Sequence, residues 1–401
     1  GVPFCFMAIL RSEPFGVPRV LLPHTMNSLM AITETYYANG CGEHTMVHAL
    51  NVMRFIFQDS TLAGDVTQYI EKGFITVLKG FTDPSWYVRN SSLMCYTALI
   101  TRSIGNRRTK DDYATQNTVT SREFFSRYPL LKQYLLDQLR IGTSQSSELH
   151  PTLYPSLLLL SRLRAASSIS DESSNDVGDV SSFVPLVMAC SGQNHYLIRS
   201  MAARALVPLI PSTTVPGFVS SLIAKLLDPS EYRTQNTLHG LLLQILQFSL
   251  MADPSSEQEL IGLWFASFSD AIKKSGLLAA GPQYYFVPRT VIFDILGTLL
   301  SKIDPSTQVC LDTLVELVNM ADLYIARAPH PGDFEGVGFV ECQAEATRFA
   351  LLGFARCSLS EDVSDYFLSF VAKCLAHTNQ KVRISAYKFI TNLTRKQSDN
   401  G

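Results

Sequence analysis

Helical periodicity of the apolar residues, with almost no strand signal, is the feature that most constrains this chain. Apolar segments of ordinary helix length recur between residues 44 and 395, joined by short polar turns. The tripeptide Asp-Pro-Ser precedes four of them, at Asp83, Asp228, Asp253 and Asp304. An aspartate carboxylate accepts the unpaired N–H groups that open a helix, and proline fits the first helical position. Each copy is therefore predicted to start a helix.

Three of these segments share an internal pattern. A β-branched residue precedes an arginine, a small residue follows three positions after the arginine, and a leucine follows ten positions after it, at Leu99, Leu209 and Leu393. These positions fall on one face of a helix. The pattern resembles the second helix of a HEAT repeat, whose helix pairs bury their apolar faces against neighbouring pairs. The sequence therefore predicts an all-α, HEAT/armadillo-like helical repeat solenoid with irregular repeats. An ordinary globular helical domain is the alternative.

The arginines of this pattern are Arg89, Arg199 and Arg383. In helical arrays an arginine at this place commonly donates hydrogen bonds to aspartates or main-chain carbonyls of a neighbouring repeat. We therefore interpret the three arginines as repeat-bridging residues.

Composition places the chain among helical proteins with a large core. Of its 401 residues, 46% are hydrophobic and 17% are charged. Its eight cysteines form no C-x-x-C pair, which is typical of reduced thiols in the cytoplasm. No apolar run has the roughly 18 to 20 residues that a membrane span needs. The chain begins at Gly1 without an initiator methionine, so we expect it to be a piece of a longer protein.

The sequence offers little sign of chemistry. Cys41, His44 and His48 have a spacing that occurs in zinc sites, but no nearby residue completes a four-ligand set, so no metal is predicted. No nucleophile elbow, P-loop or glycine-rich dinucleotide fingerprint is present. We therefore predict no catalytic residue and no bound cofactor.

One predicted helix, residues 44–58, has a polar face. Its members are His44, His48, Asn51, Arg54 and Gln58, and apolar residues cover most of the remaining circumference. Such a face is either simply solvated or a stripe that binds a partner, because solenoids bind through surfaces lined by successive helices.

Positive charge is concentrated in residues 101–140, which carry a net +4, whereas the whole chain carries −2. Within this basic island the candidate ligands of a polyanion are Arg102, Arg107, Arg108, Lys110, Arg122 and Arg127. We expect three aromatic residues to anchor its far side: Phe124, Phe125 and Tyr128. The alternative is a solvated loop whose charge Asp111 and Asp112 partly cancel.

Several long strings resemble the thyroid adenoma-associated protein family, which includes the fungal regulators of tRNA 2′-O-methylation. These strings are "VHALNVMRFIFQDSTL", "GFTDPSWYVRNSSLMCYTALITRSIG" and "REFFSRYPLL". The start, "GVPFCFMAIL", resembles the end of the family's Arg-Arg-Ser-Ala-Gly-Leu-Pro motif, with valine in place of leucine. This match makes Gly1, Val2 and Pro3 further binding candidates. We divide the chain into a signature region, 1–140, and continuing repeats, 141–401, with a Ser/Asp-rich loop at 165–182.

The resemblance implies a scaffold that has no catalysis of its own. Family members partner an FtsJ-type methyltransferase and direct it to the ribose 2′-OH of nucleotide 32 in the tRNA anticodon loop. The partner enzyme would then hold S-adenosylmethionine and the catalytic residues. The alternative is a protein-interaction solenoid without an RNA role, acting in signalling or in the regulation of a calcium pump.

Overall fold

A computed structural model gives the structure of the chain. It describes residues 1–14, 16–40, 42–105, 119–144, 149–166, 178–232, 234–279, 286–304, 307, 309–327, 336–357 and 361–399, without the side chains of 336, 337, 357, 361–366 and 393–399.

Within these residues the regular structure is α-helical, with one isolated bridge between Thr120 and Arg164. The first nine helices are α1 Val2–Arg11, α2 Leu21–Asn39, α3 Glu43–Gln58, α4 Ile70–Gly80, α5 Trp86–Ser103, α6 Ser121–Arg127, α7 Pro129–Ser144, α8 Leu153–Ser161 and α9 Phe183–Cys190. The others are α10 Tyr196–Leu206, α11 Val215–Lys225, α12 Gln235–Met251, α13 Gln258–Ser275, α14 Phe286–Lys302, α15 Leu311–Ala326, α16 Gly336–Cys357, α17 Glu361–Leu375 and α18 Gln380–Asp399. Short 3-10 turns are Thr67–Tyr69, Val207–Leu209, Ser212–Thr214 and Pro229–Tyr232.

The chain forms two compact units. Unit 1 contains residues 1–190 and 205–212, and unit 2 contains residues 191–204 and 213–401. The division predicted at residue 140 followed the extent of the sequence resemblance and stays a prediction. Most of the predicted Ser/Asp-rich loop, residues 167–177, lies outside the described residues.

Within each unit, helices stack in layers. In unit 1, α3 packs between α1 and α5, while α2 lies against α3 and α4 against α5. In unit 2, α12, α14, α16 and α18 pack in succession, and α11, α13 and α15 form the second layer. Each helix of one layer also contacts a sequence neighbour in the other layer, as in α13 with α14 and α15 with α16. This stacking of helix pairs is the helical repeat architecture that the sequence predicted.

The face predicted from the repeated pattern is buried. Val88, Ile198 and Val382 are inaccessible to solvent, and so are Leu99 and Leu209. The side chain of Leu393 lies outside the described residues. The prediction of a buried leucine is thus confirmed at Leu99 and Leu209.

The three patterned arginines make the same contact in each repeat. The Nη1 atom of each donates to two carbonyls six and five residues earlier: Asp83 and Pro84 for Arg89, Gln193 and Asn194 for Arg199, and His377 and Thr378 for Arg383. The carbonyl acceptors were expected, but they lie in the turn before the arginine's own helix. Because each arginine bonds to the turn just before its own helix, we call these residues the turn-closing arginines. Arg199 also donates a hydrogen bond to His239 on α12.

A second recurring contact joins helices of one layer at their C-terminal ends. Arg102 of α5 donates to the carbonyls of Phe57 and Asp59 at the end of α3, at 2.8 and 2.6 Å. Lys302 of α14 donates to three carbonyls at the end of α12, and Arg356 of α16 donates to the carbonyls of Leu300 and Asp304 at the end of α14. We call these contacts the C-terminal clasps. They supply donors to helix carbonyls that have none within the helix.

The Asp-Pro-Ser copies fold differently from the prediction. The Asp83 carboxylate accepts from the N–H of Ser85, and it is Ser85 that caps α5. Asp228 opens a 3-10 turn, and Asp253 opens a turn that ends before α13 begins. Pro305 and Ser306, which complete the fourth copy after Asp304, lie outside the described residues. In the three described copies the carboxylate bonds to the amide two residues later, so it forms an Asx turn instead of a cap.

Two differences from the predicted helices have local causes. Apolar periodicity predicts one helix over residues 121–141, but the segment divides into α6 and α7. Tyr128 precedes Pro129, and a residue before proline avoids the helical region; its φ is −128° and its ψ is 65°. Helices α1 and α2 were not predicted. The residues of α1 are apolar on nearly all sides, which removes the periodic signal.

Among the described residues no single helix is long and apolar enough to cross a membrane. The segments Tyr196–Leu209 and Ser212–Lys225 reach that threshold only when they are taken together.

Replacing Leu99 with alanine is expected to lower the free energy of unfolding by roughly 2–5 kcal/mol, because the side chain is fully buried and tightly packed. It lies so close to Gly73 that a Cβ added to that glycine would be only 3.2 Å away. Leu93→Ala on the same helix is the control, since Leu93 is exposed. Urea unfolding measures both. Equal midpoints for the two variants would contradict the assigned core.

His239 is expected to make the fold sensitive to acid. Burial and, secondarily, the Arg199 charge lower the pKa of His239 to about 4, and its Nδ1 accepts from Arg199 Nε at 3.1 Å. Below about pH 6.5 this histidine is protonated in the unfolded chain, but in the folded chain it stays neutral down to about pH 4. The free energy of unfolding therefore falls as the pH falls from about 6.5 to 4, by up to about 3 kcal/mol.

The variant His239→Asn keeps a hydrogen-bond acceptor but does not titrate. It is therefore expected to lose less stability than the parent between pH 7 and pH 5, as measured by urea unfolding. Exposed His195→Asn is the control. If the His239 variant and the parent lose the same stability, the assigned neutral state is wrong.

Candidate functional site

The predicted polar face lies on α3. The helix starts after Gly42, whose φ of 88° favours glycine. His44 and His48 are exposed, and Asn51 and Arg54 are half-buried. The opposite face is fully buried, with Met46, Leu50, Met53 and Phe57 among its members. The four candidate residues therefore share one side of α3, with Arg54 turned partly inward.

Arg54 is held between apolar groups. Its guanidinium lies 5.7 Å from the centre of the Phe55 ring, and its Nη1 is 3.4 Å from the sulfur of Met94 on α5. Its buried Nε has no hydrogen-bond partner among the described residues. The side chain is thus fixed in place by cation–π and thioether contacts, while its charge has no carboxylate partner there.

Gly1, Val2 and Pro3 form the first turn of α1. The Gly1 carbonyl accepts from the amides of Phe4 and Cys5, and proline stands where a helix needs no N–H. The next residue, Phe4, is 65% exposed and packs edge-on against Phe55 with ring centres 5.1 Å apart. The start of α1 therefore lies beside the face of α3 that carries Arg54.

Two exposed aromatic residues open α5. Trp86 and Tyr87 are 61% and 60% exposed, and their rings meet edge-to-face at 5.5 Å. No role was predicted for them, although the sequence contains a signal: they precede Val88-Arg89 and fall outside the buried positions of the repeated pattern. Because α5 packs beside α3, we group these residues with the face of α3 under the name aromatic–arginine face: Phe4, His44, His48, Asn51, Arg54, Trp86, Tyr87 and Met94.

The basic island is only partly described. Arg107, Arg108 and Lys110 lie outside the described residues. Arg102 acts as a C-terminal clasp, and Arg127 pairs with Glu123 one turn earlier on α6. Arg122, also on α6, packs against Gly178. The described members thus have structural contacts of their own.

Phe124, Phe125 and Tyr128 are core residues. Phe124 meets Phe125 and Tyr128 at 5.3 and 4.9 Å, and Phe125 stacks on Phe183 at 5.1 Å. All three are buried. They anchor α6, as expected, but the structure places them in the interior and not on a binding surface. The reason is that the two phenylalanines are the apolar residues of α6, so this short helix packs onto its neighbours by burying both.

The described residues contain no cluster of three or more side chains that could hold a metal ion. His44 and His48 are both exposed, and Cys41, the third member of the pattern weighed above, lies outside the described residues.

Comparison with known proteins identifies two family models that match in chain order. The model described as "THADA/TRM732, DUF2428" matches residues 1–87, and the one described as "Trm732, C-terminal TPR repeats" matches residues 89–248. TPR repeats, like HEAT repeats, are stacked helix pairs.

Three relatives carry the name of a tRNA (32-2'-O)-methyltransferase regulator. The dog protein is 34% identical over 318 residues, which is 77% of this chain and 16% of the relative. The human protein is 37% identical over 256 residues, 61% of this chain and 13% of the relative. The fission yeast protein is 31% identical over 254 residues, 61% of this chain and 16% of the relative.

The chain thus spans about one sixth of the length of the dog and yeast relatives. The matched models, the identities and the stacked helix pairs agree with the resemblance seen in the sequence, and the chain belongs to the THADA/TRM732 family.

Proposed function

We propose that this chain is part of a regulatory scaffold that directs a separate methyltransferase to the ribose 2′-OH of nucleotide 32 in the tRNA anticodon loop. One observation carries the proposal: two adjoining models of a single regulator family match residues 1–248 in order, and relatives on both sides of the animal–fungal divide are named as regulators of that modification.

The ionisable groups of the described core fit a scaffold that is not itself an enzyme. Burial raises the pKa of the thiols of Cys95, Cys190, Cys342 and Cys374 to about 12, which makes them poor nucleophiles. Burial also lowers the pKa of Lys302, whose amine caps α12, and raises that of Asp294, which is bonded to Arg348. Perturbed groups often mark active sites, but these have structural partners.

The proposal assigns the chemistry to the partner. An FtsJ-type enzyme binds S-adenosylmethionine and contributes the catalytic residues. The scaffold contributes surfaces that bind the enzyme and tRNA in the cytoplasm. Stacked helices suit this role because they present long surfaces without needing a cofactor cavity.

The full-length protein is expected to stimulate methyl transfer by its separately purified enzyme and to transfer no methyl group alone. The assay follows labelled methyl groups from S-adenosylmethionine into tRNA. A tRNA with 2′-deoxyribose at nucleotide 32 is the control, because it lacks only the acceptor hydroxyl. Absence of stimulation would overturn the regulatory role, and methylation by the regulator alone would overturn the assignment of chemistry to the partner.

Reversing the charge of Arg107, Arg108 and Lys110 to glutamate is expected to weaken tRNA binding by the assembled complex. Loss of about three phosphate contacts should lower the slope of log affinity against log salt by about 2–3, because fewer counterions are released. The matched control reverses Lys274, Lys373 and Lys381, which pair with carboxylates in unit 2.

Fluorescence anisotropy over a salt series measures both triple variants. If the island variant binds tRNA like the parent but no longer retains the methyltransferase, the island is a protein-docking site. That result would favour the protein-interaction alternative for these residues.

A further inference from the structure

We infer that the aromatic–arginine face binds unpaired nucleotides of an RNA through base stacking and one phosphate contact. This inference rests on the proposed function and names a surface for it. The face belongs to unit 1 and was defined above from α1, α3 and α5.

The geometry brings these residues onto one surface. Met94 lies beside Arg54, and Arg102 reaches the end of α3, so α3 and α5 run side by side with their C-terminal ends together. The partnered residues are 40 and 45 positions apart in the chain. Trp86 and Tyr87 therefore lie level with the first turns of α3, which carry the exposed His44 and His48.

The charge of the three helices favours an anion. Helices α1, α3 and α5 contain Arg11, Arg54, Arg89 and Arg102, and their acidic residue is Glu43. Asp83 and Asp59 adjoin these helices, but both carboxylates are buried. The Asp83 carboxylate accepts hydrogen bonds from Ser85 and Tyr36, and the Asp59 carboxylate accepts one from Arg11. Arg11 pairs with a carboxylate, and Arg89 and Arg102 donate to main-chain carbonyls. Among the described residues, the guanidinium of Arg54 has neither kind of partner.

The chemistry favours unpaired nucleotides over other anions. Exposed aromatic rings stack on any base, and an adjacent arginine can bind the phosphate of the same strand. The guanidinium of Arg54 is already packed on Phe55, so little side-chain freedom is lost when it meets a phosphate. His44, His48 and Asn51 add hydrogen-bond donors along the strand. Paired bases, in contrast, offer no free ring face.

The test uses the full-length protein assembled with its methyltransferase, and the ligands are the isolated anticodon stem-loop and an RNA hairpin of equal length and charge with few unpaired bases. Tyr87→Ala and Trp86→Ala are each expected to lower affinity for the stem-loop roughly 5- to 100-fold. Tyr87→Phe should bind like the parent because it keeps the ring. Tyr387→Ala, with a similarly exposed tyrosine in unit 2, is the control.

Arg54→Gln is expected to lower the salt slope by about one, whereas the aromatic variants should leave it unchanged. Affinity for the paired hairpin should change little in the aromatic variants.

Parent-like stem-loop binding by Tyr87→Ala and Trp86→Ala would overturn the inference. Loss of the methyltransferase from these variants, at an unchanged melting temperature, would also overturn it and make the face an enzyme-docking site.

Methyl transfer by the unmodified complex is measured in parallel and separates the two hypotheses. If the regulator stimulates methylation but the variants bind RNA normally, only the assignment of this face fails. If the unmodified regulator stimulates no methylation, the proposed function fails, whereas weaker stem-loop binding by the aromatic variants would still support the face as an RNA-binding surface.

Discussion

The carbonyl groups at helix C-termini lack donors within their own helix, and the stacking of this protein depends on how those carbonyls are satisfied. Arg102, Lys302 and Arg356 each bring donors from a neighbouring helix of the same layer. The cation also meets the negative end of the helix dipole. A buried carbonyl without a donor costs about 1–3 kcal/mol, so each clasp favours one spacing and one register between the two helices.

The turn-closing arginines act before helices α5, α10 and α18 in the same way. Arg89, Arg199 and Arg383 order the turn that precedes their own helix, and they too use carbonyls as acceptors. Six cations of the described chain, the three clasps and the three turn-closing arginines, therefore serve as donors to the main chain. A count of lysines and arginines along the sequence consequently overestimates the positive surface that a polyanion could reach, and Arg102 is an example inside the basic island.

The sequence was informative where one periodic pattern controls burial, and uninformative where burial depends on neighbours that are distant in the chain. The pattern around Val88 and Leu99 predicted both a helix and its buried face, because positions at helical spacing must share one side. The inward position of Phe124 could not be read, since two turns of helix carry too little periodicity. Trp86 and Tyr87 faced the opposite difficulty: large aromatic residues are ordinarily core residues, and only the register of the buried pattern places them outside.

Helices α12 and α14 of unit 2 leave less surface for a partner than helices α3 and α5 of unit 1. In unit 2, α12 is buried continuously from Leu238 to Ser249, and α14 is buried at 12 of its 17 positions. Helices of this kind serve as the axis of a stack and have little area to offer a ligand. In unit 1, α3 and α5 bury one side and expose histidine and aromatic residues on the other, where Arg54 is half-buried. Because recognition needs side chains that are both fixed and accessible, α3 and α5 combine the rigidity of the stack with the exposure that binding requires, whereas α12 and α14 have only the rigidity.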